Sequence, residues 1–227
     1  MITSAALCPS PPLLYPGITG RQAVLPELRA ACAQAAGRLV RGEPEEIVVV
    51  GPAGTTRTWA PGSRLDPSQF AAAMPSTGTP PLPLPLGLGA LLLDQAGYHR
   101  RRRLQAIGQD EPASICGRLG AELGMSDART ALLVMGDGSA RRTLKAPGYL
   151  DPRAAAFDSA VESAIRAGDL DALQRLDPVL ARELMVTGRP AWQVLSGAIH
   201  SPRPRTEILY CDAPFGVAYL VAQIQPA

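Results

Sequence analysis

Short apolar runs alternate with longer amphipathic stretches along most of the chain. Ile2 to Cys8 reads as a brief buried strand, and the prolines from Pro9 to Pro16, with their fixed φ, predict an extended loop after it. Between Arg21 and Arg41, Leu25, Leu28, Ala31, Cys32, Ala35, Ala36 and Leu39 recur at helical spacing and make one apolar face. Pro26 is tolerated only in a first turn, which sets the regular helix near Val24. Glu46 to Gly51 is β-branched and continuously apolar, the character of a strand covered on both faces. Pro52 to Leu86 is rich in Pro, Gly, Ser and Thr and predicts a long loop, a length that marks function or loose order.

A helix is expected from Gly87 to Tyr98, a strand from Leu104 to Gly108, and a helix from Pro112 to Leu123 with Gly124 as its stop. Thr130 to Met135 is the next strand. Asp151-Pro152 opens a helix that runs to Ala167 and ends at Gly168, and short helices follow over 169–176, 178–186 and 190–199. Thr206–Asp212 and Gly216–Ala222, joined by Ala213-Pro214-Phe215-Gly216, predict an antiparallel edge hairpin. Strands alternating with helices define the α/β class: a mixed, partly parallel central sheet flanked by helices on both faces. No repeat or break in composition divides the chain, so residues 1–227 read as one domain.

The composition is that of a globular chain, with 46% hydrophobic and 19% charged residues among 227. A net charge of +2 argues against general nucleic-acid binding. The basic run His99-Arg100-Arg101-Arg102-Arg103 reads as a solvated loop or strand start, or as an anion contact. No aromatic residues interleave it as a single-strand binder would require. The four cysteines (Cys8, Cys32, Cys116, Cys211) form no CxxC pair and no disulfide framework, which predicts reduced thiols in a cytoplasmic protein. The apolar N-terminus has no basic leader region, and no stretch reaches the ~18 apolar residues of a membrane span.

Chemistry is expected at the carboxyl ends of the strands, where open α/β sheets bind ligands. Three such loops supply Cys8 and Ser10; Ala53, Thr55, Thr56 and Arg57; and Asp137, Ser139, Ala140, Arg141, Arg142 and Lys145. Cys8, Asp137 and Ser139 are the candidate catalytic groups, and Ser10, Ala53, Thr55, Arg57, Ala140, Arg141, Arg142 and Lys145 the candidate ligand contacts. Cys8 has no histidine placed to make it a thiolate, and its other reading is a small buried apolar residue. Ser139 has no base to activate it, which sets a Ser-His-Asp mechanism aside. Arg141, Arg142 and Lys145 either hold an anion or pair structurally with Asp137, Asp151 or Asp158. The phosphate-loop pattern G-x-x-x-x-G-K-[ST] is absent.

The order of Cys8-Pro9-Ser10-Pro11-Pro12, Val50-Gly51-Pro52-Ala53-Gly54 and Gly136-Asp137-Gly138-Ser139-Ala140 resembles the catalytic (LigB-type) subunit of class III extradiol ring-cleavage dioxygenases and their Memo-type relatives. The likeness extends through Phe157-Asp158, Gly168-Asp169 and Gly197-Ala198, and is greatest to an actinobacterial branch with a subunit-B-like domain. It implies Fe(II) held by two histidines and a carboxylate. In the family those loops read His-x-Pro, Pro-His-Gly and Gly-Asp-x-Ser-His. Here Cys8, Ala53 and Ala140 stand in the histidine positions. Thr187 to Gln193, where the carboxylate would fall, contains no Asp or Glu, and Glu183 is the nearest. The only histidines, His99 and His200, lie outside the predicted site. The expectation is therefore a dioxygenase-like protein without metal or other cofactor, binding a small aromatic or anionic molecule at the strand-end pocket. The alternatives are an active oxidoreductase with a rearranged metal site using Cys8, Asp137 and a distant histidine, or a Memo-like interaction protein. No nucleic-acid or membrane partner is expected, and homo-oligomerisation is left open.

Overall fold

Side chains alternate along the central strands, so each strand feeds two cores. The structure is a computed structural model that describes residues 1–19, 24–60, 62–69, 76 and 81–226. Seven strands form one mixed sheet: β1 (Ile2–Cys8), β2 (Glu46–Ala53), β3 (Arg57–Trp59), β4 (Arg101–Gly108), β5 (Thr130–Met135), β6 (Arg205–Asp212) and β7 (Tyr219–Gln225), in the order β3-β4-β2-β5-β1-β7-β6. β4, β2, β5 and β1 run parallel, while β3 and β7 are antiparallel to their inner neighbours and β6 is antiparallel to β7.

Ala6, Cys8, Ile47, Val49, Leu133 and Met135 point to the face covered by α1 (Pro26–Arg41) and α2 (Leu84–Gln95). Leu7, Val48, Val50, Leu132 and Val134 point to the other face. That face is covered by α3 (Ala113–Gly124), α4 (Arg153–Ala167), α5 (Leu170–Gln174), α6 (Pro178–Glu183) and α7 (Arg189–Ala198). The predicted α/β class, mixed sheet and two helical layers are all present. No described helix is long and apolar enough to cross a membrane.

Several boundaries differ from those expected, for local reasons. β2 continues two residues past Gly51, so Pro52 and Ala53 belong to the strand. A proline is accommodated there because pairing of β2 with β5 stops at Val50 while pairing with β4 runs on to Ala53. β3 was not anticipated: Arg57-Thr58-Trp59 is a short, polar edge strand without an apolar alternation. α2 starts at Leu84, because Pro85 falls in its first turn where no hydrogen bond is lost. α1 starts at Pro26, and the expected helical residues 21–23 lie outside the described residues, as does most of 70–80 in the predicted long loop. β7 begins at Tyr219, because Gly216 is used in the turn with φ 75°.

The arginine run is a strand start. Arg101 and Arg103 reach the buried Glu46 carboxylate at 3.0 and 2.9 Å, and Arg102 reaches Asp94 at 2.8 Å. A carboxylate buried at the start of β2 is costly without partners, and the neighbouring strand supplies two of them.

α3 and α7 pack with their backbones nearly touching. A Cβ on Gly120 would stand 2.1 Å from the Val194 carbonyl oxygen, and one on Gly197 would stand 2.2 Å from that of Gly117. No flexible side chain can yield at either point. Gly120→Ala is therefore expected to cost about 2–3 kcal/mol of stability through overpacking, seen as a lower urea midpoint at unchanged slope.

Candidate functional site

The carboxyl ends of β1, β2, β4 and β5 open on a pocket of about 370 Å³. Pro12, Pro52, Ala53, Leu84 and Pro85 form its apolar walls, and Ser10, Gln109, Asp137 and Thr187 supply its polar groups. Among the described lining residues there is no lysine or arginine, and Asp137 is the one acidic side chain.

Asp137 is held by the chain on both sides. Gly136 approaches Gly188 so closely that a Cβ on Gly136 would stand 2.4 Å from the Gly188 Cα. The Gly188 N–H donates to the Asp137 carbonyl at 2.9 Å, and the Asp137 N–H donates to Thr187 Oγ1 at 2.9 Å. The Ser10 N–H donates to Asp137 Oδ1 at 2.6 Å, which ties the loop after β1 to the loop after β5. Burial pushes the Asp137 carboxyl up to about 6, against the opposing pull of the Ser10 N–H.

Beneath the pocket Arg189, at the first turn of α7, is fully buried. Its guanidinium donates to the Glu111 carbonyl at 2.6 Å, to Gln193 Oε1 at 3.0 Å, and to the Gln109 carbonyl. Gln109 in turn donates from Nε2 to the Val186 carbonyl at 3.0 Å. The wall contributed by the β4 loop is thus fastened from below.

Of the residues expected from sequence, the structure brings Ser10, Ala53 and Asp137 together. Cys8 lies two residues before Ser10, the first residue of this loop to line the pocket. Its side chain points into the core under α1, where the adjacent Cys32 thiol and then burial push its pKa well above the usual thiol range. Such a thiol is inert, which corrects its candidacy as a nucleophile. Ser139 is also displaced: its buried hydroxyl donates to Asp158 Oδ2 at 2.5 Å, and its N–H donates to Asp158 Oδ1 at 2.9 Å. Arg142 pairs with the same carboxylate at 3.2 Å.

The reason is the course of the loop after Asp137. It runs alongside residues 216–218 through Gly138 N–H to Ala218 O, Ala218 N–H to Ser139 O and Arg142 N–H to Gly216 O. Ala140, Arg141, Arg142 and Lys145 are thereby carried off the pocket lining. Arg141 lies against Gly148, and Lys145 is exposed. Thr55 is exposed past the end of β2, and Arg57 stacks on the Trp59 ring, 3.7 Å from its centroid. Thr187 and Gln109 were not anticipated. Gln109 follows β4 directly, so counting a fourth strand-end loop would have found it.

The iron implied by the dioxygenase resemblance does not suit these residues. Ala53 and Ala140 offer no donor, the Cys8 thiol faces the core, and Asp137 is the one carboxylate among the described lining residues. His99 precedes β4, and His200 lies beside Met1 and Ile2 at the amino end of β1, so both sit at the opposite end of the sheet. Among the described residues no three His, Cys, Asp or Glu gather to hold a metal ion.

No family model and no curated protein matches the sequence. Among solved structures, the chain is similar to that of the uncharacterized protein JW3007 from Escherichia coli K12, at 16% identity and a TM-score of 0.60, over 98% of this chain and 99% of that one. A likeness at that identity shows a shared fold.

Asp137 makes stability depend on pH with a definite sign. Its folded pKa lies above the unfolded value, so its contribution is full below about pH 4 and is lost as the pH rises through about 6. Asp137→Asn removes this loss while keeping an acceptor for the Ser10 N–H. The variant is expected to gain on the wild type by about 2 kcal/mol between pH 4 and pH 7 in urea melts. A difference that stays constant with pH would give Asp137 an ordinary titration.

Proposed function

We propose that the chain is an iron-free counterpart of the LigB-type dioxygenases that binds a small hydroxylated aromatic molecule in the strand-end pocket. The observation that carries this reading is a single carboxyl, Asp137, set among Pro12, Pro52, Ala53, Leu84 and Pro85. A flat apolar ring suits the proline walls, and a ring hydroxyl is the donor that a carboxylate of raised pKa accepts. The order of the three strand-end motifs supports the kinship, and the substitutions at Cys8, Ala53 and Ala140 support the loss of the metal. Of the two ligand classes expected from sequence, the aromatic one is favoured. An anion would meet the Asp137 charge with no cation among the described lining residues to offset it. Four free cysteines, three of them buried, suit the cytoplasm as the working compartment.

Titration calorimetry with catechol and benzoate at pH 7.5 tests the reading. Catechol is expected to bind and benzoate to fail. Asp137→Asn should weaken catechol about tenfold by removing a charge-assisted hydrogen bond. Ala53→Phe should abolish binding by filling the pocket. Equal binding of both compounds, or binding that ignores both substitutions, would overturn the proposal.

A further inference from the structure

β6 is the outermost strand on its side of the sheet, and no strand among the described residues pairs with its outer edge. An open edge of eight residues is a template for another strand. The register of β6 against β7 shifts between Ile208 and Tyr210, leaving Leu209 as a bulge in the middle of the strand.

That bulge decides which side chains share a face. Thr206 donates from Oγ1 to the Arg166 carbonyl of α4 at 3.3 Å, Ile208 packs in the same layer, and Cys211 lies beside Glu162 of α4. Glu207 pairs with Arg38 of α1 at 2.5 Å, and Leu209 and Tyr210 both pack in the α1 layer. Arg205 and Asp212 face Gln225 and Tyr219 on β7, positions of like parity, and so lie together on the α1 side. In a regular strand two residues seven apart would point to opposite faces. Here the bulge restores the match.

We infer that two copies of this chain join through β6, antiparallel, about a two-fold axis passing between Ile208 and Leu209. This register sets Arg205 opposite the partner's Asp212 at both ends of the contact, Thr206 opposite the partner's Cys211, and Glu207 opposite the partner's Tyr210. The residues of each of these pairs have the same parity against β7, so away from the bulge backbone groups that point outward on one copy meet outward-pointing groups on the other. The interface is isologous, as a two-fold dimer requires. A bulge ordinarily discourages edge pairing. With the axis running through it, the two bulges face each other and neither strand falls out of step. The charges fit the same register: Arg205 and Asp212 are exposed, and neither joins an ion pair among the described residues. Two seven-stranded sheets then become continuous, with α1 beside its counterpart on one face and α4 on the other.

The full chain is expected to sediment as a dimer at ~100 µM. Arg205→Asp sets like charges opposite each other at both ends and should weaken dimerisation about tenfold. Arg205→Asp combined with Asp212→Arg should restore it. In a Cys211→Ser background, Arg205→Cys with Asp212→Cys should give a covalent dimer on mild oxidation, whereas either cysteine alone should not. Seven residues of strand span about 23 Å, so the two cannot bridge within one chain. Both positions are exposed, and circular dichroism checks that each variant is folded. A wild-type monomer at every concentration would overturn the inference and leave the edge to water or to another protein's strand. Crosslinking by a single cysteine as readily as by the pair, or failure of the charge swap to restore the dimer, would overturn this register.

Discussion

The close seating of α7 is the constraint on which the rest of the structure depends. Its carboxyl half lies on α3 with glycine against backbone at Gly120 and Gly197, and its amino end meets the end of β5 at Gly136 and Gly188. With no side chain to act as a cushion at either contact, the helix has little freedom to slide. Its first turn carries the buried Arg189, whose guanidinium holds the Gln109 and Glu111 carbonyls. The residue before Gly188 is Thr187, the acceptor for the Asp137 N–H. Two walls of the pocket therefore take their positions from one helix that lies mostly behind it.

Such an arrangement explains why the fold was largely legible in the sequence and the site only in part. Strand and helix periods are local properties: Ile47-Val48-Val49-Val50 and the apolar stripe of α1 announce themselves within a few residues. Arg57-Thr58-Trp59 carries no such pattern, because an edge strand with exposed side chains has no burial to record. The site depends on where loops go after leaving the sheet. Ser10, Ala53 and Asp137 sit within a residue or two of a strand end, and their positions follow from the topology. Ser139, Arg141, Arg142 and Lys145 lie farther along, where pairing with residues 216–218 redirects the chain. That pairing joins segments some eighty residues apart, and no local spacing encodes it.

The reassignment of the basic loop changes the character of the site. Read as sequence, Gly136 to Lys145 offered either a cradle for an anion or structural pairs with Asp137, Asp151 or Asp158. In the structure Asp158 takes up Ser139 and Arg142, and the pocket is left with one carboxyl and a wall of prolines. At β4 the same logic holds for Arg101, Arg102 and Arg103, whose charges Glu46 and Asp94 take up. Arg142 and the run from Arg101 to Arg103 thus serve the folding of the chain.

The early end of the pairing between β2 and β5 has a consequence of its own. Beyond Val50 the ladder between these two strands stops, while β2 stays attached to β4 through Ala53. The sheet thus carries a permanent notch at its carboxyl edge, needing no hinge to open it. Pro52 brings no N–H to that notch, so one donor that would otherwise anchor solvent is missing. Pro52, Ala53 and Pro85 thus offer solvent few hydrogen-bonding groups at the notch, a surface that favours an apolar guest over a polar one.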